Sequence, residues 1–209
     1  MHHNEEQWSN YFDQLAEQDY VVIDQFLADN ILSELLTFFN SIEKRDLLKK
    51  AAIGSSGNEK IIQEIRGDFT YWINKNIDKQ IDFLFKEIDD LKLLINRYCF
   101  LSLSGYEFHL ALYPEGSFYK KHLDQFSQRS NRMISIIVYL NEVWQNGDGG
   151  ELKIYLKDGT SKLIAPYLNR CIMFKSDSLL HEVLKANKPR KSMTGWMLYQ
   201  PTKLVTLTP

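Results

Sequence analysis

The sequence predicts a mainly β protein with flanking α-helices, built around a double-stranded β-helix, the jelly-roll core of cupin-like proteins. After residue 100, short runs rich in β-branched and aromatic residues alternate with Pro, Gly, Asn and Asp turns. Before residue 100, apolar residues recur mainly at helical spacing. A length of 209 residues is enough for one domain with a substantial core. We therefore predict a single domain over 1–209, with a supporting part at 1–100 and the β-helix core at 101–200.

The supporting part is predicted to begin with a strand and to continue as helices. Tyr20–Ile23 is a buried strand candidate, and Asp29 is placed to cap the next helix. The apolar positions of that helix are Ile31, Leu32, Leu35, Leu36 and Phe39. A second amphipathic helix is predicted from about residue 77 to 98. Between the two helices, the polar stretch 54–60 lacks the apolar surface to hold itself rigidly, so we predict a mobile lid loop over about 50–64.

The core is predicted to contain at least five strands, over residues 107–113, 133–141, 150–155, 170–174 and 192–200. Alternate residues of a strand share one face. Two such sets stand out, and both are expected to line the barrel interior: Ser135, Ile137 and Tyr139, then Arg190, Ser192, Thr194 and Trp196. Polar side chains on an interior face indicate a site there.

Composition excludes few classes of partner. The net charge of -2, with both signs interspersed, gives no basic field, so neither nucleic acid nor an anionic membrane is expected as a partner. Cys99 and Cys171 lie too far apart for a zinc motif, and no apolar run at the N-terminus or elsewhere suggests a signal peptide or a membrane span. A cytoplasmic location is the resulting expectation, and the sequence leaves the oligomeric state open.

The residues with the clearest chemistry are His122, Asp124 and His181. Two imidazoles and one carboxylate form the facial triad that holds non-haem Fe(II) and leaves metal positions open. A chance His-x-Asp on a surface strand has the same spacing, His181 alone suits a satisfied core position, and zinc is the competing ion. Arg190 adds a guanidinium fork that fits the far carboxylate of 2-oxoglutarate, which a hydrolytic zinc site does not require.

The segment from about residue 65 to 200 resembles the prolyl-4-hydroxylase-type branch of the Fe(II)/2-oxoglutarate dioxygenases, especially the oxygen-sensing prolyl hydroxylases and their bacterial relatives. The matching motifs occur in order and at matching spacing: Ile-Arg-Gly-Asp (65 to 68) with Trp72, Tyr-Pro-Glu-Gly (113 to 116), His-Leu-Asp (122 to 124), Tyr-Leu-Asn (139 to 141), Gly-Gly-Glu-Leu (149 to 152), His-Glu-Val (181 to 183), and Arg190 with Thr194 and Trp196. Collagen-type prolyl hydroxylases use lysine where this chain has Arg190. Base-dealkylating oxygenases carry a second arginine where this chain has Thr194 and Trp196.

The resemblance implies a catalytic core at 101–200 that hydroxylates a prolyl residue of an intracellular protein, with release of succinate and CO2. Fe(II), 2-oxoglutarate and O2 are the implied cofactors, and ascorbate is a further candidate. The implied roles are metal binding by His122, Asp124 and His181, 2-oxoglutarate binding by Arg190, Tyr139, Thr194, Tyr113, Ile137 and Leu152, and substrate contact by Tyr119, Arg132 and Trp196. Asp68 is expected to pair with Arg132 behind the site. His109 is in phase with Tyr113, which gives it a place at the pocket mouth as one alternative, but packing or a surface position is the favoured role.

Two alternatives stay open at this stage. The same oxidative chemistry could act on a free amino acid, a peptide or a small metabolite. A cupin-like protein could instead hold a metal without turnover, which would be favoured if Arg190 proved misplaced. The sequence does not identify a particular proline-bearing protein or peptide as the substrate.

Overall fold

The computed structural model describes residues 3–51, 65–125 and 130–199, and two antiparallel sheets form most of it. The helices are α1 (Glu5–Gln18), α2 (Asp29–Lys44) and α3 (Asp82–Cys99). The strands are β1 (Tyr20–Ile23), β2 (Lys49–Lys50), β3 (Phe69–Trp72), β4 (Leu103–Tyr113), β5 (Tyr119–His122), β6 (Arg132–Tyr139), β7 (Leu152–Tyr155), β8 (Ser161–Ile164), β9 (Cys171–Lys175), β10 (His181–Val183) and β11 (Arg190–Tyr199). The larger sheet has the order β1-β9-β6-β11-β4-β3-β2, and the smaller has the order β5-β10-β7-β8.

The larger sheet separates two apolar cores. On β6, the odd-numbered Ile137 and Tyr139 belong to the cluster between the sheets, and the even-numbered Ile136 and Val138 belong to the cluster beneath the helices. This alternation follows from the pleat of a strand that is buried on both faces. The predicted mainly β architecture with a jelly-roll core is confirmed.

Strand β11 lies in the middle of the larger sheet and determines which side chains become neighbours. Its register places Arg190 opposite Tyr113 on β4, and Ser192 opposite Tyr139 on β6. Thr194 lies between His109 on β4 and Ile137 on β6. Residues from three distant parts of the sequence therefore meet on the interior face.

The helices differ from the prediction at three places. Asp29, predicted to cap α2, is the first residue of that helix, and the N-cap position is taken by Ala28, which has no side-chain acceptor and makes no capping hydrogen bond. Helix α1 was not predicted, although Asn4 and Gln7 form a capping box and its few apolar residues, Trp8, Phe12 and Leu15, are buried. Helix α3 begins at Asp82 after a 3₁₀ turn, and Ile77, expected on its apolar face, is 70% exposed. The apolar pattern was extended one turn too far toward the N-terminus.

Several short strands were also missed, because they are polar or only two to four residues long. The predicted lid loop starts inside β2, whose two lysines pair with β3. Residues 52–64 lie outside the described part of the chain, so the lid remains a prediction. Among the described helices, none has the length and hydropathy of a membrane span.

Candidate active site

Three side chains from two neighbouring strands converge inside the smaller sheet. His122 ends β5, Asp124 follows it, and His181 opens β10 directly opposite His122 in the register. Asp124 Oδ1 lies 3.5 Å from His122 Nε2 and 3.7 Å from His181 Nε2. One ligand atom from each residue lies within 4.8 Å of the other two, which is the arrangement expected of ligands around one ion.

In each of the three side chains, the polar atom that faces away from the cluster is held by a hydrogen bond. His122 Nδ1 lies 2.7 Å from the Lys120 carbonyl oxygen, and His181 Nδ1 lies 2.9 Å from that of Leu179. A carbonyl can only accept, so each Nδ1 carries the proton and each Nε2 presents its lone pair. The Ser135 hydroxyl donates to Asp124 Oδ2 at 2.6 Å. This is the outer support that orients metal ligands in proteins.

Electrostatics keep Asp124 and His181 in the protonation states that bind cations. Burial raises the pKa of Asp124, but the His181 and His122 imidazoles and the Ser135 hydroxyl outweigh it and hold that pKa well below its ordinary range. The pKa of His181 is lowered to about 4, because the effect of burial is larger than the opposite effect of the Asp124 charge. At neutral pH the site therefore contains a carboxylate and a neutral His181 imidazole.

Arg190 is the one fully buried guanidinium near this interior face for which the described residues offer no carboxylate. Its side chain is 3% exposed, its Nη1 donates only a 3.3 Å hydrogen bond to Ser192 Oγ, and its Nε has no partner. The guanidinium lies 4.9 Å from the Tyr113 ring and 5.0 Å from the Tyr139 ring. The Tyr139 hydroxyl, also buried, is likewise without a partner in the described part. Unpaired buried charges and donors are costly, so this pair of residues suits an anionic ligand.

A cavity of about 540 Å³ opens beside these groups. Of the residues predicted to form the site, it is lined by Tyr113, Tyr119, His122, Asp124, Arg132, Ile137, Leu152, His181, Arg190, Thr194 and Trp196. Tyr139 lies behind this lining, and its ring contacts Arg190. On one wall the rings of Trp72, His109 and Trp196 follow one another at 4.9 and 5.5 Å, and the Arg132 guanidinium lies 3.4 Å from the centre of the Trp196 ring.

The predicted pairing of Asp68 with Arg132 is wrong. Asp68 accepts two hydrogen bonds from Arg66, and Arg132 instead donates from Nε and Nη2 to Glu107 Oε1 at 2.8 and 2.6 Å. Glu107 is nearer because it projects from β4, two residues from the cavity-lining His109. Arg132 still reaches the site, since its Nη1 lies 3.4 Å from the Asp124 carbonyl oxygen.

Of the cavity residues that the predicted list lacked, three carry side chains that matter for the chemistry of the site. His109 is 4% exposed and lines the cavity, and burial lowers its pKa to about 3, so its imidazole is neutral there. Trp72 and Arg66 also line it. The alternation that places Tyr113 inside also places His109 inside, and this signal was sufficient to find it.

The donor set fits Fe(II), and the neighbouring pocket fits 2-oxoglutarate. Two imidazoles and one carboxylate are the ligands of non-haem iron enzymes that keep open positions. His122, Asp124 and His181 would hold the ion, and Arg190 with Tyr139 would receive a carboxylate of the co-substrate.

Comparison with known proteins agrees with this chemistry. A family model of the 2OG-Fe(II) oxygenase superfamily matches residues 108–198. A Pseudomonas putida prolyl-4-hydroxylase is similar at 34% identity and a TM-score of 0.84, over 93% of this chain and 100% of that one. A prolyl hydroxylase from Trichoplax adhaerens, solved with a hypoxia inducible factor peptide fragment, is similar at 25% identity and 0.83, over 92% and 90%. A prolyl 4-hydroxylase from Phytophthora capsici, at 23% identity and 0.75 over 95% and 66%, shares the fold.

Proposed function

Because the chain belongs to the 2OG-Fe(II) oxygenase superfamily and is an Fe(II)- and 2-oxoglutarate-dependent dioxygenase, we propose that it hydroxylates a prolyl residue of a protein or peptide. The overall reaction consumes 2-oxoglutarate and O2 and forms a hydroxyprolyl product, succinate and CO2. One oxygen atom enters the C–H bond of the substrate, and the other enters succinate.

Arg190 is the observation that carries the co-substrate assignment. A buried guanidinium with a free Nε and no carboxylate among the described residues requires an anion, and a planar fork matches a carboxylate. The neighbouring Tyr139 hydroxyl supplies a further donor, and Ile137 and Leu152 provide apolar walls for the carbon chain. A structural arginine would have been expected to find a partner within its own fold.

The protein's own groups orient the reactants and exclude water. His122, Asp124 and His181 would bind iron through Nε2, Oδ1 and Nε2, and Arg190 would fix the far end of the co-substrate. When bound, iron and 2-oxoglutarate together supply the oxidising chemistry that inserts oxygen into the substrate. Burial of Asp124 and His181 removes bulk water that would compete with the substrate.

The proposed prolyl substrate rests on the cavity wall and on the relatives. A pyrrolidine ring is apolar and compact, and the rings of Trp72, His109 and Trp196 offer it an aromatic wall. The two most similar structures described above are named as prolyl hydroxylases, and one was solved with a bound peptide. A cytoplasmic location, and hence an intracellular target, stays a prediction.

The proposal is tested by incubating a cell lysate with the protein, Fe(II), 2-oxoglutarate and ascorbate, and searching for peptides that gain one oxygen. Fragmentation should place the oxygen on proline, and hydrolysis should release 4-hydroxyproline. The same lysate treated with the His181→Ala variant is the control, because free iron and ascorbate oxidise methionine without an enzyme.

Oxygen found only on non-proline residues, or equally with the His181→Ala variant, would reject prolyl hydroxylation. Succinate formed without any modified peptide would favour a free amino acid or small metabolite as the substrate.

A further inference from the structure

We infer that Arg66 is a positioning residue for the metal site, acting through the ring of Tyr119 on the orientation of His122. The inference rests on the proposed function, because it takes His122 as an iron ligand. Arg66 belongs to the Ile-Arg-Gly-Asp motif, whose role the active-site chemistry leaves unexplained.

Arg66, Tyr119 and His122 form a continuous stack. The Arg66 guanidinium carbon lies 4.5 Å from the centre of the Tyr119 ring. The Tyr119 ring in turn lies 3.7 Å from the His122 ring, with 19° between their planes. A cation over an aromatic ring and a second ring parallel to it both restrict how that aromatic ring can turn.

His122 needs such support more than the other ligands do. Its side chain is 18% exposed, compared with 4% for His181 and 8% for Asp124. His181 packs against Phe174 in the core, with 4.7 Å between the rings. His122 contacts the His181 ring at 4.3 Å, and its other support comes from within its own strand, from the Tyr119 ring and one hydrogen bond to the Lys120 carbonyl.

The guanidinium of Arg66 is itself held in one orientation. Its Nε donates to Asp68 Oδ1 at 2.7 Å and its Nη2 donates to Asp68 Oδ2 at 2.6 Å, a two-pronged pair with a carboxylate that is 1% exposed. Two parallel bonds fix the plane of the guanidinium as well as its place. Asp68 therefore determines how Arg66 faces Tyr119.

The main chain reinforces the same contact. Arg66 forms a β-bridge with Tyr119, Lys120 donates its N–H to the Ile65 carbonyl at 2.9 Å, and Gly67 donates to the Phe118 carbonyl at 3.0 Å. The segment 65–67 thus pairs with the outer edge of β5, the strand that carries His122. Arg66 and Tyr119 are therefore joined both by their side chains and by main-chain pairing.

The test uses metal binding alone, under anaerobic conditions, with Co(II) as the probe because its visible absorption reports coordination geometry. Tyr119→Phe keeps the ring and should bind Co(II) with the wild-type spectrum and an affinity within about twofold. Tyr119→Leu removes the ring and should weaken binding by about 10 to 100-fold, the usual effect of losing outer support of a ligand, with an altered spectrum. The Arg66→Gln, Asp68→Asn double variant should behave like Tyr119→Leu without leaving a buried charge unpaired.

A control pair of the same residue types lies exposed on helices α1 and α3. Arg97 pairs with Glu5 at 3.1 Å and lies 5.5 Å from the Tyr98 ring, so it reproduces the cation, carboxylate and ring away from the site. The Arg97→Gln, Glu5→Gln double variant should retain wild-type affinity and spectrum. Arg66→Lys keeps the charge and loses the planar fork. It should therefore bind Co(II) more weakly than the wild type and with an altered spectrum.

A purely structural role gives a different pattern. It would lower the unfolding midpoint of the metal-free protein and leave the Co(II) affinity and spectrum of the folded fraction unchanged in both Tyr119→Leu and the Arg66, Asp68 double variant. That result would overturn the inference. Failure of the proposed function is separate, since it would appear as absent stoichiometric binding in the wild type or unchanged binding in His122→Ala.

Discussion

At the scale of single residues, the site depends on polar atoms that face away from the three converging ligand atoms. Asp124 has two carboxylate oxygens, and the structure points Oδ1 at both histidines and gives Oδ2 to Ser135. Ser135 is 0% exposed and also lies 2.8 Å from Ser176 Oγ. The two hydroxyls therefore set the rotation of the carboxylate, because a freely rotating carboxylate would not keep Oδ1 in place.

Replacing Ser135 with Ala should weaken Fe(II) binding by about 10 to 100-fold, since Asp124 Oδ2 would lose its hydrogen bond. The effect should be smaller than that of His181→Ala, which removes a ligand. Metal analysis at fixed free Fe(II) measures both. Ser41→Ala, on α2, is the control. Equal occupancy in Ser135→Ala and wild type would remove Ser135 from the support of the site.

Arg190→Lys should raise the dissociation constant of 2-oxoglutarate at least about tenfold and change metal affinity little. Lysine keeps the charge, but an ammonium cannot pair with both oxygens of a carboxylate at once. Calorimetric titration of the metal-loaded protein with 2-oxoglutarate measures the effect. An unchanged isotherm would place the co-substrate carboxylate elsewhere.

At the scale of elements, β11 carries the anchor Arg190 and the wall residue Trp196, and its position depends on a glycine between β4 and β6. A Cβ on Gly195 would lie 2.2 Å from Phe108 Cδ1 and 2.5 Å from the Glu107 carbonyl oxygen. The Phe108 ring crosses the strand there to reach the core beneath the helices.

Gly195→Ala should accordingly destabilise the fold by about 1 to 3 kcal/mol, because the methyl group overpacks a closed site. Urea unfolding of the metal-free protein measures the loss. Gly159→Ala is a useful comparison, since a Cβ there meets nothing within 4 Å and any cost comes from its positive φ of 84°. A Gly195→Ala variant as stable as wild type would show that Phe108 can move aside.

The long strands and three short apolar ones, β1, β7 and β9, could be predicted from the sequence, and several other short strands could not. Strands β4, β6 and β11 alternate their side chains over eight residues or more, so their interior faces were readable. Strand β5 reads Tyr-Lys-Lys-His, which has no apolar alternation, and only its place beside β10 makes it a strand. The metal residues were found from their chemistry and not from the strand that holds them.

The ion pairs behind the site show the same limit. Asp68 had two arginines as plausible partners, and the pairing with Arg132 failed because Glu107 takes that guanidinium. The local signal was present, since Arg66 and Asp68 are two apart on an extended segment and point to the same side. The arginine that pairs with Asp68 is decided by Glu107 on β4, a strand distant in sequence, and no local pattern contains that information.

At the scale of the whole molecule, two buried histidines connect the site to stability. His109 and His181 have pKa values lowered by burial to about 3 and about 4, from an ordinary value of 6.5. An unfolded chain takes up a proton at each position as the pH falls below about 6.5, whereas the folded chain does not until about pH 4. The unfolded state therefore binds more protons in this window, and acid favours it.

The free energy of unfolding of the metal-free protein should fall between pH 6.5 and pH 4, by up to about 1.4 kcal/mol per pH unit for each of the two histidines. The lowered pKa of Asp124 adds a loss in the same direction, but only below its ordinary value of 3.8. His109→Phe keeps an aromatic ring between Trp72 and Trp196 and should remove about half of the histidine-dependent slope. Urea titrations of the wild type and of His109→Phe at pH 7, 6 and 5 measure how steeply the free energy of unfolding falls in each protein. If the two slopes were equal, the pKa of His109 in the folded chain would be close to its ordinary value of 6.5, and burial would not keep its imidazole neutral below that pH.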